Sequence, residues 1–220
     1  MIRKYKLPFS IELSGYTLEQ IFDIDPDWVN EFKSLLDDNI CELIGCGYCQ
    51  IIAPLVPAFV TSSNLNIGNE IYKKHLGIEP DIALLNEQAF SKGIIPLYLQ
   101  ENYKTIIMEW NNPATLNPDW DQECKYYPQL AKGSNKTKIN LIWNHSINFQ
   151  KFQRYVHGEI DIDDFLKFIN KNISKDERCL ALYGNDVEVF DFRPGRYMTE
   201  EKINKEGEWV RIEKLYKSII

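Results

Sequence analysis

Thr105-Ile-Ile-Met108, followed at once by Glu109-Trp110-Asn111-Asn112, sets the pattern from which the fold can be read. A short apolar run without alternation suits a strand buried on both faces, and the switch to polar and aromatic residues marks its carboxyl end. The same grammar recurs outward in both directions. Upstream, Pro8–Leu13 runs into Ser14-Gly15, Cys41–Ile44 into Gly45-Cys46-Gly47-Tyr48, and Asp81–Leu85 into Asn86-Glu87. Downstream, Ile139–Trp143 runs into Asn144-His145, and Leu180–Tyr183 into Gly184-Asn185-Asp186. Helices are expected over Pro26–Asp38, after Glu87 to about Leu99, from near Ser146 onward, and over Glu208–Ile220. Buried strands separated by helices give an α/β fold with a parallel sheet covered on both faces. The count of units points to an incomplete or seven-to-eight-unit β/α barrel, with an open doubly wound sheet as the alternative. In either fold a ligand sits beyond the carboxyl ends of the strands. Those ends carry Glu87, Glu109, Trp110, Asn144, His145 and Asp186.

The 220 residues suit one medium domain, read here as 1–220, with 44% apolar and 26% charged residues typical of a globular chain. A net charge of −7 repels phosphate backbones, so nucleic acid is not expected as a partner. The longest apolar run, Ile51–Val60, is broken by Pro54 and Pro57, too short for a bilayer span of about 20 residues, so no membrane partner is expected. The basic amino terminus lacks a following apolar core, and five cysteines make an odd set. Both point to a reducing, cytoplasmic setting. Cys41, Cys46 and Cys49 share a C-x4-C-x2-C spacing with no fourth ligand to complete a zinc site, and buried thiols are the default reading. The three histidines form no metal motif, and no phosphate-binding glycine loop is present, so no metal or cofactor is expected.

Two carboxylates on separate strand ends are what glycoside hydrolysis requires. Glu87 stands immediately after one strand and Asp186 after another, with Glu188 and Asp191 close behind. Each also has an ordinary reading: Glu87 as a carboxylate at a helix amino terminus, the Asp186 cluster as a turn with solvated charges. The long stretch Asn111–Lys138 carries Trp120, Tyr126 and Tyr127 and reads as an ordered loop over the mouth of the site. Trp110, Trp143, Asn144 and His145 are the candidate sugar-binding shell. Large aromatics can stack on sugar rings, although most belong to cores.

Three segments resemble signatures of glycoside hydrolase family 57. Cys41-Glu-Leu-Ile-Gly-Cys-Gly-Tyr-Cys-Gln-Ile-Ile-Ala-Pro-Leu-Val-Pro57 is similar to the glycine-rich second signature. Leu84-Leu-Asn-Glu-Gln-Ala-Phe90 looks like the third, and Leu182-Tyr-Gly-Asn-Asp-Val-Glu-Val-Phe190 like the fourth. The resemblance implies a (β/α)7 barrel, a metal-independent retaining mechanism, Glu87 as nucleophile and Asp186 as general acid/base. Retention would place the two carboxyl groups about 5–5.5 Å apart. It also implies an α-linked glucan or related oligo- or polysaccharide as substrate, hydrolysed or transferred. The histidine-containing first signature has no counterpart in Pro8–Leu13, and no fifth signature follows. The chain is therefore expected to match the middle of such a catalytic domain. Two alternatives are a non-catalytic carbohydrate-binding or regulatory relative with an incomplete barrel, and a polysaccharide deacetylase, against which the histidine spacing speaks.

Overall fold

The computed structural model of the protein describes residues 2–5, 9–184, 186, 190 and 206–219. Glu188 and Asp191 lie outside them. Six strands form one sheet: β1 Ser10–Glu12, β2 Glu42–Gly45, β3 Ile82–Leu84, β4 Thr105–Glu109, β5 Gln129–Lys132 and β6 Lys138–Asn144. Their order is β1-β2-β3-β4-β6-β5. β1 through β4 are parallel neighbours, with Ile11 beside Leu43, Ile44 beside Ile82, and Ala83 beside Ile106. Ala83 and Ile106 are fully buried, which is why these strands read as continuous apolar runs. The α/β class and the parallel sheet thus match the sequence reading. β5 departs from it by pairing antiparallel to β6, with Ala131 opposite Ile139.

The first helices alternate with the early strands: α1 Ile2–Tyr5, α2 Gly15–Ile24, α3 Pro26–Asp37 and α4 Ala58–Leu76. Ser14 caps α2 by accepting from Thr17 N at 3.1 Å, and Asp25 caps α3 by accepting from Trp28 N at 3.1 Å. Pro26 occupies the first turn of α3, where its missing N–H costs nothing. Gly77, at φ 78°, ends α4 in the left-handed conformation. Leu18, Val29, Phe32, Leu43, Tyr72 and Leu76 fill the core between these helices and the sheet. Truncating such a leucine to alanine costs about 2–5 kcal/mol.

The later helices are α5 Ile95–Gln100, α6 Asn111–Leu116, α7 Ser146–Val156, α8 Ile162–Asn170 and α9 Glu208–Ile219. Phe152, Tyr155, Val156, Phe165, Phe190, Ile212 and Leu215 form a second core, in which the Tyr155 and Phe165 rings stack at 5.5 Å. The chain divides into two compact units. One holds residues 2–108 and 128–142, the other residues 109–127 and 143–220.

Three expectations change. Glu87 and Gln88 adopt φ of 53° and 55°, so no helix starts there; a short 3-10 turn, Asn86–Gln88, precedes α5 instead. The stretch 111–138 is not one loop but contains α6, a 3-10 turn at Gln122–Tyr126, and β5. Leu180–Tyr183 forms no strand, and its Ala181 carbonyl accepts from the Asn148 side chain rather than from a neighbouring strand. Among the described residues, no helix is long and apolar enough to cross a membrane.

Candidate active site

In the first unit, the carboxyl ends of β1, β2 and β3 lie side by side. Past β2 the chain turns through Cys46-Gly47-Tyr48-Cys49, and α4 holds this loop from beneath. Asn64 accepts from Tyr48 N through its backbone carbonyl (2.9 Å), accepts from Cys49 N through Oδ1 (2.8 Å), and donates Nδ2 to Cys49 O (3.0 Å). Gly47 sits at φ 91°, a conformation that favours glycine. A Cβ on Gly68 of α4 would fall 2.5 Å from the Gly47 carbonyl carbon. The glycines therefore allow helix and loop backbones to touch. The Tyr72 hydroxyl donates to Leu13 O at 2.7 Å and locks the same loop to the end of β1.

Glu87 rises from the turn after β3. Leu85 N still pairs with Ile107 O at 3.2 Å. Asn86 is buried, and its Nδ2 donates to Cys46 O and Ile51 O, each at 3.2 Å. With its neighbour pinned inward and its own backbone left-handed, Glu87 is turned outward and exposed. Non-glycine residues in this region cost of order 1–3 kcal/mol each and collect at functional sites.

In the second unit, Glu109 is 6% exposed and gathers the ends of β4 and β6. Its Oε1 accepts from Asn111 N (2.6 Å), Asn111 Nδ2 (2.7 Å), Ser146 Oγ (2.8 Å) and Ser146 N (3.3 Å). Its Oε2 accepts from Asn112 N at 2.7 Å. Burial raises its pKa, but the bonds from Asn112, Asn111 and Ser146 outweigh burial and hold it below the ordinary glutamate value. Glu109 is thus a fixed anion that caps α6 and the start of α7.

Trp110, Trp120 and Trp143 form one aromatic cluster, with ring centroids 5.2 Å apart for Trp110–Trp143 and 5.8 Å for Trp110–Trp120. Trp110 is 2% exposed and is its floor; Trp120, at 40%, offers an open face. The Nε1 of Trp143 and the Nδ1 of His145 are buried without a hydrogen-bond partner among the described residues. Burial, aided by the Lys125 charge and opposed by Glu109, lowers the His145 pKa, so the ring is neutral at pH 7.

Asp186 is exposed, and side chains carry the segment that leads to it. Asn144 Nδ2 donates to Gly184 O at 2.7 Å, Asn148 Nδ2 to Ala181 O at 3.0 Å, and the Tyr183 hydroxyl to Asp186 O at 2.6 Å. Asn144, expected to touch sugar, is here bonded to the chain itself. Asn148 did not stand out in the sequence, since an asparagine inside a helical pattern carries no distinctive signal. Glu87 lies in one unit, and Asp186, Trp110, Trp143, Asn144 and His145 in the other. Among the described residues, no group of three His, Cys, Asp or Glu side chains could hold a metal ion.

The model of the family described as Glycosyl hydrolase family 57 matches residues 1–217. An alpha-amylase of Pyrococcus furiosus is 19% identical over 202 residues, which is 92% of this chain and 29% of that protein. A 4-alpha-glucanotransferase of Thermococcus litoralis shares the fold with a TM-score of 0.76 at 17% identity, over 99% of this chain and 32% of its own. An exo-type maltose-forming amylase of Pyrococcus sp. ST04 does so with a TM-score of 0.65 at 14% identity, over 100% of this chain and 38% of its own. The chain spans between 29% and 38% of the length of these relatives. With the family matched along nearly its whole length, and its parallel sheet shared with solved members, the chain belongs to glycosyl hydrolase family 57.

Proposed function

We propose that the protein is a retaining glycoside hydrolase or transglycosylase acting on an α-linked glucan. The observation that carries this reading is Glu87: an exposed carboxylate turned outward at the carboxyl end of β3, in a chain matched to the family over residues 1–217. Glu87 attacks the anomeric carbon, and Asp186 protonates the leaving oxygen, then activates water or an acceptor sugar. The open face of Trp120 offers a stacking surface for a glucose ring, with Trp110 and Trp143 behind it. His145 and the Trp143 indole supply polar groups to the sugar, and Asn144 steers the segment that carries Asp186. The names of the relatives, an alpha-amylase, a 4-alpha-glucanotransferase and a maltose-forming amylase, agree in the α-glucan.

The test is chromatographic analysis of soluble starch and maltoheptaose incubated with the parent chain and with Glu87→Gln and Asp186→Asn. Shortened or redistributed chains with the parent, absent with both variants, are expected. Turnover that survives Glu87→Gln overturns the nucleophile assignment. A second reading, glucan binding without cleavage, draws on the irregular Leu180–Gly184 segment before Asp186. Under it the folded parent binds maltoheptaose and releases no product.

A further inference from the structure

Glu12 is the last residue of β1 and lies on the same edge of the first unit as Glu87. Its Oε1 is buried and has no hydrogen-bond partner among the described residues. An ionised carboxylate can only accept, and buried acceptors in folded proteins almost always have a donor. Two groups beside Glu12 could donate, the Tyr72 hydroxyl and the Cys46 thiol. The Tyr72 hydroxyl donates to Leu13 O at 2.7 Å and lies 3.2 Å from Gly47 O. The other is the Cys46 thiol. Burial drives its pKa up, the Glu12 charge and hydrogen bond add to this, and a protonated thiol is a weak donor. The fold thus leaves an acceptor without an adequate donor on the edge where ligands of α/β proteins sit.

We propose that Glu12 is a substrate-binding residue, its free carboxylate oxygen accepting a hydrogen bond from a hydroxyl group of a sugar ring bound beside Glu87. A pyranose presents several O–H donors and no charge, which suits one unpaired acceptor. This inference rests on the α-glucan reading above and adds a contact to it. It also makes Glu12 a residue kept at a cost to the empty protein.

The test pairs two readouts on Glu12→Gln and Glu12→Met: the melting temperature without ligand, and the Kd for maltoheptaose by calorimetry. Removing the charge from an unsatisfied site is expected to raise the melting temperature by about 2–4 °C. Losing a charge-assisted bond is expected to weaken maltoheptaose about tenfold to a hundredfold in Glu12→Met, and less in Glu12→Gln, which keeps an oxygen. Affinity unchanged in both variants overturns the proposal, whatever the melting temperature does. So does a lowered melting temperature in both, because the carboxylate is then already satisfied within the chain. A folded parent that binds no maltoheptaose overturns the glucan reading together with this one.

Discussion

Glu109→Gln isolates the anion that gathers the ends of β4 and β6. Oε1 of Glu109 accepts from Asn111 N, Asn111 Nδ2, Ser146 Oγ and Ser146 N, and Oε2 accepts from Asn112 N. Glutamine keeps the shape and one acceptor. Turned to satisfy Asn111 and Ser146, it places an NH2 group against the Asn112 N–H, donor against donor. A hydrogen bond to a charged group contributes about 1.5–3 kcal/mol, and the bonds that survive lose roughly half their strength with the charge. The expected loss is about 3 kcal/mol, which lowers the melting temperature of a chain this size by about 6–12 °C. Scanning calorimetry at pH 7 reads this directly. The pH dependence supplies a second check. The folded-state pKa of Glu109 lies below its ordinary value, so its contribution is complete above that ordinary value and is lost as pH falls through the folded one. The gap between parent and variant should therefore be widest at neutral pH and narrow in acid. A drop smaller than about 2 °C at pH 7 would refute the reasoning, since it would mean that water replaces these bonds without loss.

Three further outcomes follow from the geometry. Gly68→Ala drives a methyl group to 2.5 Å from the Gly47 carbonyl carbon and 2.8 Å from Tyr48 N, both backbone atoms. It should cost about 1–3 kcal/mol in urea denaturation, as overpacking does. Gln88→Gly relieves a left-handed residue at φ 55°. The relief of about 1–2 kcal/mol, less about 0.4–1 for glycine's freer unfolded chain, leaves a small net gain that a raised urea midpoint would record. Asn144→Ala removes the donor to Gly184 O and should lower kcat on maltoheptaose more than it changes KM, because Asp186 loses its support while the sugar contacts stay.

Much of the sheet was legible because its strands are buried on both faces. Asp81–Leu85 and Thr105–Met108 have few polar interruptions, and the structure trims or extends each by a residue or so, to β3 and β4. α3 was expected over Pro26–Asp38, and the structure begins it at Pro26 behind the Asp25 cap. The helix α4 was not expected, although it is the longest. Its buried side mixes Leu65, Tyr72 and Leu76 with Thr61, Gly68 and Asn69, so the apolar stripe is interrupted, and Gly68 is where helix and loop backbones meet. β5 was hidden for a different reason: Gln129–Lys132 has no strand propensity of its own and exists through its pairing with β6. Leu180–Tyr183 has the composition of a strand, but its Ala181 carbonyl accepts from the Asn148 side chain, a choice that composition does not encode. Glu87 and Asp186 stood out by their place after apolar runs. The left-handed turn under Glu87 and the anion at Glu109 depend on neighbours distant in the chain.

The asparagines that carry the segment before Asp186 also set how each carboxylate would come loose. Leu85, two residues before Glu87, is hydrogen-bonded into the sheet at Ile107, so its amide exchanges with solvent only when that part of the sheet opens. Ala181 O and Gly184 O instead accept from the side chains of Asn148 in α7 and Asn144 in β6, and Tyr183 between them packs on Phe152. A segment held through its carbonyls gains no ladder protection for its own N–H groups, so its amides are expected to exchange faster than those of β3 and β4. Exchange beside the proposed acid/base is thus expected to run on a timescale of its own, while that beside the proposed nucleophile keeps to the opening of the sheet.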